Sequence, residues 1–325
     1  VGRSCEIRPS VDWDKLVDLL VSGITLGSVY ALVALGFSLV YGILKLLNLA
    51  HGDVVMIGAF VGWGILGLLG GAESPSVAVW LLISLMVLGA MIACGFLGVA
   101  IERFAYRPLR RAPRIAPLIS ALGVSFFLQN SVLLLYGAEF RSYDTDFLID
   151  VDVGIDWGPL TVWLIRIVVV LSAFAMMLGL WLLVTRTRFG KAMRATAFDR
   201  EAAEMMGIDV DRVIVTTFFI GSALAGAAGV LIGLVFFQIN NFMGFNYGLK
   251  GFTAAVVGGI GSIPGAMVGG LLIGIIEALS VGYIEDFTGG RLNSSFRDLV
   301  LFSILVVFML LRPQGLFGKR EVTKV

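Results

Sequence analysis

The chain has 325 residues, of which 58% are hydrophobic and 14% charged, and its mean hydropathy is +0.96. That much apolar surface cannot be hidden in one water-soluble core, so the composition excludes a soluble globular or disordered protein and indicates an integral membrane protein. The 24 basic and 23 acidic residues nearly cancel, to a formal net charge of +1, so the positions of Lys and Arg are informative and their sum is not; nucleic acid is not expected as a partner.

Residues 1–15, "VGRSCEIRPSVDWDK", have no apolar stretch and no small-residue cleavage site, and read as a short exposed head. Leu16 to Leu44 is too long for one upright helix and too short for two crossings, which predicts a helix followed by a partial one. Apolar runs near crossing length follow at roughly 54–70, 77–101, 115–136, 162–184, 213–237 and 297–311. Gly251 to Tyr283 is interrupted by "GGIGSIPG" and reads as two helical pieces around a non-helical turn. The expected fold is an all-α polytopic integral membrane protein with about eight transmembrane helices plus broken or re-entrant segments. Its membrane domain covers 16–312, with a loop at 185–212 and a tail at 313–325.

Basic residues set the orientation. Arg103, Arg107, Arg110, Arg111 and Arg114 fill one loop; Arg186, Arg188, Lys191, Arg194, Arg200 and Arg212 fill another, and both are expected in the cytoplasm. The segment between them, "GAEFRSYDTDFLIDVDVGIDWGP", has Arg141 alone and belongs on the opposite face. The tail, with Arg312, Lys319, Arg320 and Lys324, returns to the cytoplasm if the broken Gly251 to Tyr283 region leaves the outer face and comes back to it; the side of the N-terminus stays open.

Glycine occurs 41 times, with small-xxx-small spacing at Gly23/Gly27, Gly58/Gly62, Gly229/Gly233, Gly265/Gly269 and Gly270/Gly274, a pattern that lets neighbouring helix backbones approach. Two stretches break apolar sequence in similar ways. "LNLAHGDVVMIGA" holds Asn48, His51, Gly52 and Asp53, and "VVGGIGSIPGAMVGG" holds Gly259, Gly261, Ser262 and Gly265. Paired interruptions in the two halves suggest an internal pseudo-repeat around a central site, with helix N-termini near Asp53 and Gly265 as fixed dipoles. On this reading Asn48, His51 and Ser262 line the route. The bland alternative makes Asp53 a helix N-cap, and Asn48 and His51 hydrogen-bonded struts of the break. Glu277 is either a pathway residue or a solvated group near the outer interface, close to Glu285 and Asp286; Gln129 and Asn130 either face the route or bond between helices.

Enzymatic chemistry lacks its parts. Gly190-Lys191 is followed by Ala192 and Gly318-Lys319 by Arg320, so neither forms a phosphate-binding loop, and one His with two distant cysteines, Cys5 and Cys94, supplies neither a metal site nor a nucleophilic triad. In the basic loop, Asp199 is placed to cap a short helix ending at Gly207, which would carry Met205 and Met206 on a polar surface suited to docking.

That loop, "REAAEMMGID", resembles the E-A-A-x-x-x-G coupling motif of ABC importer permeases. Co-linear blocks "GITLGSVYALVALGFSLVYGILKLLNLAHGDVVMIGAF", "ERFAYRPLRRAPR", "LISALGVSFFLQN" and "GFTAAVVGGIGSIPGAMVGGLLIGIIEAL" extend the likeness over roughly Leu20 to Phe317 to the branched-chain amino acid permease family, in particular its shorter subunit. The resemblance implies a non-enzymatic transport subunit of the bacterial inner membrane. Its implied partners are a second homologous permease, two cytoplasmic ATPases that bind the ATP and Mg, and a periplasmic amino-acid-binding protein; the chain itself would bind no cofactor. Asp199, Glu201, Ala202, Ala203, Met205, Met206 and Gly207 would form the ATPase contact, and an amino acid would pass Asn48, His51, Gly52, Asp53, Gly259, Gly261, Ser262, Gly265 and Glu277. Urea or short-chain amide permeases share most of these blocks. In other classes stand a proton-coupled transporter using His51, Asp53 and Glu277 as a relay, and a passive channel.

Overall fold

The computed structural model describes residues 13–69, 79–110, 112–113, 115–143, 155–157, 160–162, 164–288, 293 and 296–318. Most of the expected head and the tail beyond Gly318 lie outside these residues, as do Arg111 and Arg114. The elements in order are α1 (Trp13–Leu44), α2 (His51–Leu68), α3 (Val79–Ile101), α4 (Ile115–Tyr136), β1 (Arg141–Ser142), β2 (Ile155–Trp157), β3 (Leu160–Val162), α5 (Leu164–Arg186), α6 (Arg188–Phe198), α7 (Arg200–Met205), α8 (Val210–Phe236), β4 (Gln238–Ile239), α9 (Met243–Gly258), α10 (Ile263–Thr288) and α11 (Arg297–Leu311). Among the described residues seven helices are long and apolar enough to cross a bilayer: α1, α2, α3 with its extension to Leu109, α4, α5, α8 and α10. Two shorter membrane segments, α9 with 16 residues and α11 with 15, complete the bundle.

The expected break within Leu16 to Leu44 does not occur: α1 is one helix of 32 residues. It contains no proline, and its first turn, with Asp14 and Lys15 behind an exposed Trp13, is polar enough to stand outside the apolar layer, so its extra length needs no kink. The chain breaks only after Leu44, where Lys45 adopts φ +55° and α2 starts at His51. The interruption at "GGIGSIPG" forms as expected: α9 ends at Gly258, Gly259 takes φ +106°, and Ser262 Oγ accepts from Gly265 N at 3.2 Å to start α10, with Pro264 in its first turn where no donor is lost.

Residue contacts sort the helix ends onto two faces. Arg107 reaches Asp211, Arg200 reaches the Ile43 carbonyl, and the turn at Gly261 abuts Gly42, which gathers the end of α1, the start of α8 and the α9–α10 turn on the face of the basic loops. On the opposite face Arg166 contacts Asp18, and β1 pairs antiparallel with β4 (Arg141↔Ile239, Ser142↔Gln238). The helix α1 therefore begins opposite the basic loops, which fixes the side the sequence left open, and the α9–α10 hairpin leaves that opposite face and returns to it.

Helix α8 is the most buried span and α1 is next, while α4 and α5 expose most of their surface. In α8 the string "GSALAGAAG" makes this central place accessible. Gly226 meets the Ala90 carbonyl and Cys94 of α3, and Gly229 meets Val55 and Ala59 of α2. Helix α1 crosses α10 in the same way. A Cβ on Gly27 would lie 2.7 Å from Leu271 Cα and one on Gly23 2.8 Å from Ile275 Cα, while Gly270 and Gly274 press back on Ala31 and Gly27. Without a hydrophobic force between helices in lipid, such close backbone contact is a main source of association. Gly27→Leu should therefore cost at least about 2 kcal/mol and lower the temperature at which the detergent-purified chain loses its monodisperse state. Gly64→Leu, with open space around its Cβ, should leave that temperature near parental.

Candidate functional site

The basic loop holds two helices where the sequence suggested one. Thr187 opens α6 by accepting from Gly190 N at 3.0 Å, and Asp199 opens α7 by accepting from Ala202 N at 3.0 Å. After Met205 the chain reverses through Gly207 at φ +82°, with Ile208 N returning to the Ala203 carbonyl at 3.0 Å, a helix terminus that requires a residue tolerant of positive φ. One side of α7 is fastened. Ala203 is buried, and Arg200 Nη2 donates to the Ile43 carbonyl at 2.7 Å. The other side is bare, with Met205 81% and Met206 82% exposed and Glu201 also in the open, and Phe198 at the end of α6 is 93% exposed beside it. Beside this unit Arg110 binds both the buried Glu102 and Asp211, and Arg107 joins Asp211 at 2.9 Å, so the ends of α3 and α8 are tied together.

The polar residues of the first break divide into separate clusters. Asp53 does not cap α2; Ala50 occupies that position without a side-chain bond. The Asp53 carboxylate instead accepts from Ser125 and, at 2.9 Å, from Gln129 Nε2, joining α2 to α4. Asn130 bonds its own helix at the Phe126 carbonyl. Asn48 Oδ1 accepts from the Tyr106 hydroxyl at 3.2 Å, which also reaches the Leu47 carbonyl at 3.1 Å. His51 is buried against Gly36 and edge-on to Phe37; its ring nitrogens lack hydrogen bonds of normal geometry, the Val33 backbone being the polar group beside them. Gly52 is a crossing point against Gly244 and Gly248 of α9.

The second break is filled by the chain itself. Leu316 N donates to the Val257 carbonyl and Phe317 N to the Gly258 carbonyl, each at 2.9 Å, and Gly315 packs on Gly259. Gly259, Gly261, Ser262 and Gly265 thus build a packed turn on the basic face and do not line the polar cavity on the other face. That cavity, about 270 Å³, lies among Phe236, Met243, Tyr247, Lys250, Arg297 and Asp298.

Glu277 is not solvated: it is 3% exposed and Lys250 is 5% exposed. Its carboxylate accepts from Lys250 Nζ at 2.5 Å and from the Tyr30 hydroxyl at 2.9 Å, joining α10 to α9 and α1. Lys250 is the residue the sequence reading missed. Between Arg212 and Glu285 the only charged residues are Lys250 and Glu277, and two opposite solitary charges in one apolar stretch are a legible signal of pairing.

The chain is thus a polytopic all-α membrane bundle with a short helix flanked by exposed Phe198, Met205 and Met206 on its basic face and a buried charge pair beside a polar cavity on the other. The chain belongs to the branched-chain amino acid transport system permease component family, which matches residues 19–310. It is 42% identical over 309 residues (94% of this chain and 96% of the relative) to the high-affinity branched-chain amino acid transport system permease protein LivH of Escherichia coli K12. It is 41% identical over 310 residues (94% and 97%) to the corresponding protein BraD of Pseudomonas aeruginosa. A more distant relative, the autoinducer 2 import system permease protein LsrC of Yersinia enterocolitica, is 28% identical over 212 residues, 59% of this chain and 52% of that one.

Breaking a buried ion pair from one side strands a charge. Lys250→Met should therefore destabilise the chain by about 3 kcal/mol or more, while adding Glu277→Gln should restore most of the loss; thermal denaturation in detergent, compared across the single and double variants, checks this.

Proposed function

We propose that this chain is the membrane-spanning conduit of an ATP-driven importer that carries branched-chain or related neutral amino acids across the bacterial inner membrane. Separate ATPase subunits hold ATP and Mg, and the chain binds no cofactor of its own. A second homologous permease completes the conduit, and a periplasmic binding protein delivers the cargo. With the basic face in the cytoplasm, as the distribution of Lys and Arg requires, α7 meets the ATPase and the polar cavity meets the delivery side.

The observation that carries this reading is the asymmetry of α7 and its flanks, which expose Phe198, Met205 and Met206 while Arg200 and Ala203 hold the helix to the bundle. Flexible methionines suit a groove on a partner. Displacement of α7 would pull on the end of α1 through Arg200, and on the start of α8 through the short connection at Gly207. Asp199, Glu201 and Ala202 shape the contact: the first caps α7, and the other two lie in its first turn. A proton relay through His51, Asp53 and Glu277 is less well supported, because Asp53 and Glu277 bond to separate sets of partners, Ser125 with Gln129 and Lys250 with Tyr30.

Met205→Glu with Met206→Glu should reduce co-purifying ATPase and leucine uptake by about tenfold or more with the chain still inserted in the membrane. A normal complement of ATPase and parental uptake would reject α7 as the docking element. Uptake by energised vesicles should require internal ATP and survive collapse of the proton gradient; dependence on the gradient would instead favour secondary transport.

A further inference from the structure

The polar cavity holds charges of both signs beside apolar surface. Lys250 and Arg297 supply the cations, Asp298 supplies a carboxylate, and Phe236, Met243 and Tyr247 supply the apolar wall. An ammonium has three donors. Lys250 Nζ donates to Glu277 at 2.5 Å and stands 3.4 Å from Asp298 Oδ1, which accepts no hydrogen bond among the described residues, so donors on the ammonium are left for a ligand. The Arg297 guanidinium comes no nearer than 3.8 Å, through Nε, to Glu277 and to Asp298, distances beyond a hydrogen bond. Glu277 sits behind Lys250, anchored by Tyr30, and holds the ammonium in place as a charge. Apolar residues can often replace a buried pair that only joins helices; here the Lys250 member of the pair also lines the cavity, beside Arg297 and Asp298.

We propose that this cavity is a binding site for a free α-amino acid held as a zwitterion. Lys250 and Arg297 take the carboxylate, Asp298 takes the ammonium, and Phe236, Met243 and Tyr247 enclose an aliphatic side chain. A volume of about 270 Å³ suits a ligand of that size and is small for a peptide. The assignment rests on the permease reading above and adds to it the residues that recognise the cargo on the delivery side.

Asn246 lines the same cavity and can report its occupancy. In the assembled transporter, Asn246→Cys in a Cys5→Ser background gives an addressable thiol, since Cys94 is buried. Leucine should slow modification by a charged thiol reagent about tenfold once it reaches roughly ten times its dissociation constant. 4-Methylvalerate, which is leucine without the ammonium, and isoamylamine, which is leucine without the carboxylate, should not. Adding Lys250→Met with Glu277→Gln, which removes both charges together, should abolish the protection at parental membrane levels. Leucine uptake with no protection of the thiol, or equal protection by 4-methylvalerate or isoamylamine, overturns the site while the permease reading stands. Absence of any branched-chain amino acid uptake by the parental transporter overturns that reading, and the site with it.

Discussion

Close backbone contact between α1 and α10 is the constraint on which the rest of the structure depends. Lipid offers apolar helices no reason to leave it, so the bundle coheres chiefly where small residues let main chains meet. Gly23 and Gly27 on one helix interlock with Gly270 and Gly274 on the other, and α8 repeats the device against α2 and α3. A crossing this tight leaves little freedom for sliding. It also places Tyr30 of α1 against Glu277 of α10, so the packing that joins the two helices positions the buried charge pair.

The two faces of the bundle are built for different purposes. On the basic face, polar groups are spent on fastening: Arg110 between Glu102 and Asp211, Arg200 on the end of α1, and Tyr106 on the first break. On the opposite face they surround open space, with Lys250, Arg297 and Asp298 around a cavity. The helices α1, α8 and α10 run between the faces, so a displacement of α7 has stiff members through which to reach the cavity. Buried polar groups act here as joints between helices, as Asp53 does with Ser125 and Gln129.

Much of this was legible in the sequence for definite reasons. Span positions followed from apolar runs, and the hairpin around Gly259 followed from a cluster of helix breakers. The end of α7 could be read from Asp199 and Gly207, because capping chemistry is local. Continuity of α1 was not legible: run length alone cannot separate a projecting helix from a broken one. Asp53 was legible as a route residue or as a cap but not as a link from α2 to α4, because its partners, Ser125 and Gln129, are more than seventy residues away. The second break was harder still. Its glycines looked exposed to a route, yet the amides that satisfy the freed carbonyls come from Leu316 and Phe317, beyond the last membrane helix. Lys250 was visible as a solitary charge, but its geometry with Glu277 and Asp298 depends on three helices meeting.

The clasp at Val257 and Gly258 has a consequence for biogenesis. The two carbonyls wait for donors at positions 316 and 317, which a ribosome reaches only after α10 and α11 have been made. During synthesis the α9–α10 hairpin therefore enters the bilayer with its inner turn still open to water. It locks only once the segment that follows α11 folds back onto Val257 and Gly258.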